Sequence, residues 1–271
     1  MRKSVIAGLA AGAFIAVGAT APAFAVDAGK ADLSVLHGVP GLTVDVYVNG
    51  ALTLDNFTPG TLAGPLPLDP GSYTVAIASE TSTDDSAPLL PPVTVTLAAG
   101  SSYTAVAHLD AAAAPTVSLF TNDISATAAG EGRLTVRHTA AAPSVDVLAN
   151  GAVAFPALVN PNEAKADLPV GTYAASLNLA GTATQAFGPA DVSVAPGVNT
   201  IVYAWGNAGD DTLTVAVQSV TTNQGSPSGV AAGSAPLPGE GDAFPAALVI
   251  VASLALAGAG IASRVAVKAR G

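Results

Sequence analysis

Two histidines each stand eight positions before an aspartate in stretches that otherwise repeat. "HGVPGLTVDVYVNG" begins at His37 and "HTAAAPSVDVLANG" at His138, so His37 precedes Asp45 as His138 precedes Asp146. A histidine oriented by a carboxylate supplies two parts of the machinery that activates a serine or cysteine nucleophile. The third part is missing. The chain has no cysteine, no Gly-x-Ser-x-Gly turn and no serine shared by both copies near the histidine. An enzyme would also rarely duplicate one dyad in each of two similar segments. Each pair therefore reads as structural: either an Asp–His hydrogen bond pinning two strand edges together, or two solvated polar side chains.

Other chemistries are no better supplied. His108 stands alone in "VAHLD", and a zinc site needs three or four ligands at set spacing. Asp84-Asp85 and Asp210-Asp211 lack the Asp-x-Asp-x-Asp pattern and glycine of a regular calcium loop, and read as solvated loop charge. Glutamate occurs only at Glu80, Glu131, Glu163 and Glu240, mostly in turns or linker, which disfavours a glycosidase pair. No glycine-rich phosphate cradle precedes a helix, so no cofactor is expected. If the protein binds a glycan or peptide, the sole tryptophan, Trp205, and Tyr47 are the first contacts to consider. Tyr73 and Tyr173, each following a turn, suit anchoring that turn through the hydroxyl.

Charge narrows the partners further. The net charge is −10, and the basic residues gather at the ends: Arg2 and Lys3, then Arg264, Lys268 and Arg270. Only Lys30, Arg133, Arg137 and Lys165 lie between, against all 19 acidic residues. Such a surface repels phosphate polymers, which excludes nucleic acid.

The elements that position these residues are strands. In "TVDVYV" Val44, Val46 and Val48 share one face, with Thr43, Asp45 and Tyr47 on the other. The second copy keeps the inner set as Val145, Val147 and Ala149. Asn49-Gly50 and Asn150-Gly151 then supply the positive-φ pair of a tight hairpin. Further on, "LPLDPGSYTV" aligns with "ADLPVGTYAA", and "PVTVTLAAGSSYTAVAHL" with "DVSVAPGVNTIVYAWG". Six to eight short strands per copy, with no helical period, predict two tandem antiparallel β-sandwiches over 31–121 and 133–220, joined by a linker at 122–132.

The motifs "LHGVPGLTVDVYVNG", "LPLDPGSYTV" and "VTLAAGSSYTAVA" resemble a bacterial secreted domain of unknown function, numbered 4397. Its pattern is a His, a Pro-containing loop, Val-Asp-Val-Tyr, Leu-Pro-x-Gly-x-Tyr and Leu-x-x-Gly-x-x-Tyr-Thr. The first copy matches nearly throughout. The second departs at Leu148, in place of the first tyrosine, and at Thr200, opposite Tyr103. The resemblance implies an extracellular immunoglobulin-like β-sandwich and contributes fold and location rather than an activity.

Both ends read as addresses. "MRKSVIAGLAAGAFIAVGATAPAFA" has the basic start, apolar run and small residues of a secretory signal over 1–25, with cleavage after Ala25. Residues 221–242 form a Gly/Ser/Pro stalk with nothing to bury. Residues 243–263 carry no charge and are long enough to cross a bilayer, and the basic tail at 264–271 favours the cytoplasmic side. "PLPGEGD" before the span resembles the sorting signal of Gram-positive sortases. Leu237, Pro238 and Gly241 match, while Glu240 stands where that family has the threonine. Two readings stay open: a retained single-span anchor, or an atypical signal leading to covalent wall attachment. The expectation is a non-enzymatic surface protein with a structural, adhesion or envelope role. The alternatives are a carbohydrate- or peptide-binding surface module and, more remotely, a hydrolase. The partners expected are the membrane and a cell-wall or extracellular protein or glycan.

Overall fold

The computed structural model describes residues 26–223, and every regular element among them is a strand. The signal segment with Ala25, the stalk beyond residue 223, the apolar span, the basic tail and the sorting-like residues Leu237, Pro238, Glu240 and Gly241 lie outside the described residues.

The first copy runs β1 (Ala31–Gly38), β2 (Val44–Val48), β3 (Ala51–Phe57), β4 (Leu62–Leu68), β5 (Gly71–Ser79), β6 (Val93–Leu97), β7 (Ser102–Leu109) and β8 (Pro115–Asn122). The second runs β9 (Glu131–Ala141), β10 (Val145–Ala149), β11 (Ala152–Leu158), β12 (Glu163–Pro169), β13 (Gly171–Leu179), β14 (Gln185–Val194), β15 (Val198–Asn207) and β16 (Thr214–Thr221). Each copy makes two four-stranded sheets of one topology. An inner sheet has the order β4-β1-β7-β8 or β12-β9-β15-β16; an outer sheet has β3-β2-β5-β6 or β11-β10-β13-β14.

The local signals act as their chemistry requires. Asn49 (φ 50°) and Gly50 (φ 79°) turn β2 into β3 with Val48 opposite Ala51, and Asn150 and Gly151 repeat the turn. Tyr73 Oη donates to Asp69 O at 2.7 Å and Tyr173 Oη to Pro169 O at 2.8 Å, so both tyrosines pin the turn before their strand. One expectation needs correction, because the sheets are not wholly antiparallel. β1 pairs with β7, and β9 with β15, in parallel. Between β1 and β7 the chain makes two excursions to the outer sheet. A connection of that length lets the returning strand run alongside the first in the same direction.

Within each sandwich, alternate side chains fill the space between sheets. Leu33 and Val35 meet Val44, Val46, Ile77 and Val95 in the first core, while Leu134 and Val136 meet Val145, Val147, Leu177 and Val192 in the second. The opposite faces of the inner sheets are not solvated. Leu36, Val106, Ile201 and Tyr203 form a third core, with Leu62 and Phe120 packed against it. β7 is buried along its whole length and β9 along all but its first residue. The inner sheets are thus packed against each other, and both sandwiches belong to one compact unit.

The stretch read as a linker, 122–132, is shorter and more tightly held than its composition suggests. Asn122 closes β8, and Glu131 and Gly132 open β9. Between them, Asp123 pairs with Arg133 at 2.7 Å and Lys165 at 2.6 Å, and Arg133 Nη1 donates to Ser125 Oγ at 2.9 Å.

Candidate functional site

His37 and Asp45 do not pair. His37 lies on the core face of β1, 1 % exposed, with its ring stacked 5.8 Å from that of Phe57. Asp45 lies on the far face of β2, opposite to Val44 and Val46, which point into the same core as His37. Period-two alternation puts the two side chains on opposite sides of the outer sheet. The expected Asp–His bond is replaced by two separate devices, each written twice.

The histidine braces the loop that leaves the first strand of its copy. His37 Nε2 donates to Leu42 O at 2.6 Å, and Val39 N–H makes a long bond of 3.4 Å to Nδ1. His138 repeats this with Pro143 O at 3.0 Å and Ala140 N at 3.4 Å. Those partners define a neutral imidazole protonated on Nε2. Burial pushes both rings below the ordinary histidine value, against the opposing effect of the bond to the carbonyl. With both nitrogens engaged and the ring inside the core, neither histidine presents a base to a substrate.

The aspartate caps a β-bulge. The β2–β3 register slips between Val44 and Val46, and Asn56 there has φ 51°. Asp45 Oδ1 accepts its N–H at 2.8 Å. In the second copy Asp146 Oδ1 accepts from Ala157 (φ 50°) at 2.8 Å, and Oδ2 accepts Gly181 N–H at 2.8 Å. These backbone bonds hold the Asp146 carboxyl below the usual carboxylate range.

Tyr47 is committed to internal packing, and Trp205 stands half-buried at the seam. Tyr47 is 3 % exposed, lies with Ala76 and Ala78 on the outer face of its sheet, and its hydroxyl reaches Ser82 O at 3.4 Å. The β5–β6 loop, residues 80–92, thus folds over it. Burial, then the charges of Asp45, Asp84, Asp85 and Asp55, push its hydroxyl pKa up. At the position of Tyr47 the second copy has Leu148, and its corresponding loop is only 180–184. Trp205 sits on the face of β15 that meets the first sandwich. A Cβ placed on Gly38 would lie 3.2 Å from Trp205 Cβ, and one on Gly60 would lie 3.0 Å from its Cζ2. These two glycines are the space the indole occupies. Its Nε1 is buried and has no partner among the described residues.

His108 is also buried, with Nδ1 donating to Leu109 O and Nε2 accepting from Ser118 Oγ, both at 2.9 Å. Burial lowers its pKa. Among the described residues, no three His, Asp or Glu side chains gather as a metal-ligand set.

The largest polar constellation is one that motif reading missed. Arg137, 1 % exposed at its side chain, spans the seam between the sandwiches. Its Nε donates to Glu163 at 2.8 Å, and its Nη1 donates to Asn122 Oδ1 at 2.9 Å and Tyr203 Oη at 2.7 Å. The guanidinium lies 4.4 Å above the Phe120 ring. Tyr203 Oη donates in turn to Gln218 Oε1 at 2.6 Å, and Gln218 Nε2 donates to Ser34 Oγ at 3.1 Å. Thr104 and Ser102 complete the network from the first copy. Burial keeps the Tyr203 hydroxyl pKa raised, so it remains a donor. A signal was present in the sequence. Along the first strand of each copy the core-facing positions are kept (Leu33 and Leu134, Val35 and Val136), while positions facing the seam diverge (Leu36 and Arg137, Val106 and Tyr203).

Fold and site together define a tandem pair of β-sandwiches joined through their inner sheets, with the conspicuous polar residues serving the scaffold. Residues 31–148 match the family model described as Domain of unknown function (DUF4397). That bears out the resemblance over the first copy and the opening of the second. No curated protein matches the chain.

Proposed function

We propose that this chain is a non-enzymatic cell-surface protein whose paired immunoglobulin-like sandwiches act as a rigid displayed body with a structural, adhesion or envelope role. The observation that carries the reading is the Arg137 seam. A buried, fully partnered cation between two domains is costly to open, so the pair transmits force and orientation as one piece. The immunoglobulin-like assignment is supported by two four-stranded sheets per copy and by the tyrosine that pins each turn to its backbone. Placement outside the cell rests on the N-terminal secretory pattern, and anchoring rests on the apolar span followed by a basic tail.

Fractionation of intact cells tests the placement. The expected result is a membrane-associated chain whose sandwiches are removed by external protease. Mass spectrometry of muramidase-released wall fragments addresses the anchor, and a peptide ending at Glu240 linked to wall material would replace the retained span by covalent attachment. Deletion is expected to weaken adhesion or envelope integrity. Turnover of an ester, peptide or glycoside panel that disappears in His37→Ala, with folding intact, would overturn the non-enzymatic reading.

A further inference from the structure

The two sandwiches share a topology but not an interior. In the first, an unfilled apolar slot of about 210 Å³ lies between the sheets, walled by Leu33, Val46, Val75 and Ala105. The corresponding space in the second, bounded by Leu134, Val147, Tyr173 and Val202, is about 30 Å³. Strand register identifies the exchanged residues. Ala105 pairs with Val35 as Val202 pairs with Val136, and Leu54 pairs with Val46 as Phe155 pairs with Val147. Val202 lies in the second core, and Phe155 packs against it. The second interior holds less free space even though Ala149 and Ala175 replace Val48 and Val75 there.

The slot reaches the surface on the flank between the edge strands β3 and β4, where Val48, Leu54, Leu66 and Leu68 are only half-buried. At the rim stand Asn49 and Thr53, both exposed. Asn49 Oδ1 is occupied by Thr74 N–H, which leaves its amide N–H groups for a ligand. Thr53 Oγ1 donates to Ala51 O and keeps its lone pairs. Two sheets packed face to face are about 10 Å apart, which leaves a gap one side chain thick. An engineered apolar cavity of about 150 Å³ in another protein is large enough to take up benzene. The chain's net charge of −10 disfavours an anionic head group.

We propose that this slot is a binding site for a small, freely soluble neutral amphiphile. Its single alkyl chain enters between β3 and β4, and its hydroxyl or ester oxygen rests at Asn49 and Thr53. The surface-display reading neither requires nor excludes this site, so the two can fail separately.

Hexanol is the probe. Full chain in phosphatidylcholine nanodiscs is titrated with it, and the unfolding midpoint is followed by near-ultraviolet circular dichroism. Leu54→Phe/Ala105→Val, which imports the residues of the better-filled second copy, is measured alongside. At about ten times the dissociation constant, the wild-type midpoint should rise by about 3–5 °C relative to the variant's response. The nanodisc lipid separates the two sources of an alkyl chain. A midpoint that hexanol still raises shows a site open to the soluble ligand. An absent wild-type response, or an equal response in a folded variant, overturns the proposal. Should the double variant fail to fold, Ala105→Val alone carries the same comparison. Val202→Ala, in the other sandwich, should leave the hexanol response in place.

Discussion

His37, His138 and His108 each sit inside the protein as neutral rings with both nitrogens bonded. All three have pKa values lowered by burial below the ordinary 6.5. The unfolded chain therefore binds more protons than the folded one once pH falls below that value. Stability is fully present above pH 6.5 and declines as the pH drops toward the folded-state pKa values, with a limiting slope of about 1.4 kcal/mol per pH unit for each histidine. Urea unfolding at pH 7.5 and 5.5 should show this loss, and His138→Gln should flatten it. Asp123 adds a second decline at lower pH. Burial would raise its carboxyl pKa, but hydrogen bonds from Lys165 and Ser125 and the charge of Arg133 hold it well below the usual range. Asp45→Ala should cost about 1–2 kcal/mol by leaving the Asn56 N–H without its partner, and Asp45→Asn, which keeps an acceptor oxygen, should recover most of this.

At the scale of elements, the two copies differ most where β5 leads to β6. The first copy lays residues 80–92 over Tyr47, whereas the second turns within 180–184 and enters β14 directly. Tyr47→Ala should cost about 3–5 kcal/mol, as expected for deleting a buried ring. It should also expose the loop to cleavage after Glu80 or at Leu89, read by limited proteolysis. Tyr47→Phe, which removes only a 3.4 Å bond, should leave the loop protected. The hairpins were legible from Asn49-Gly50 and Asn150-Gly151 because only a residue tolerant of positive φ fits there. The covering of Tyr47 was not legible. Alternation assigns it to the outer face and says nothing about which loop lies on that face.

For the whole molecule, stability is shared across the seam. Arg137→Ala leaves Glu163, Asn122 and Tyr203 without their common donor in a buried site, at an expected cost of about 3–5 kcal/mol. Differential scanning calorimetry should then show the single transition broadening or splitting as the sandwiches uncouple. Arg137→Met, which keeps the packing against Phe120 but leaves the same three partners without a donor, should recover only part of this loss. A splitting that Arg137→Met produced equally would mean that the hydrogen bonds, rather than packing against Phe120, carry the coupling.

The sequence alone determined that the middle of the chain is β, that it is written twice, where the hairpins turn and which valines face inward. Those features follow from short-range rules: side-chain alternation and the φ demands of two-residue turns. It also supplied the His–Asp spacing, but not its meaning. Eight residues along a strand, a loop and another strand do not specify whether two side chains end on one face or on opposite faces of a sheet. Tertiary structure decided that His37 and Asp45 do separate work, that Tyr47 is buried under its own loop and that Trp205 sits in the seam. It also decided that the inner sheets bury both faces. The reason is common to all three. A pattern of period two records that a face is apolar, while what covers that face comes from residues distant in the chain, from about 35 positions away over Tyr47 to more than 140 around Trp205.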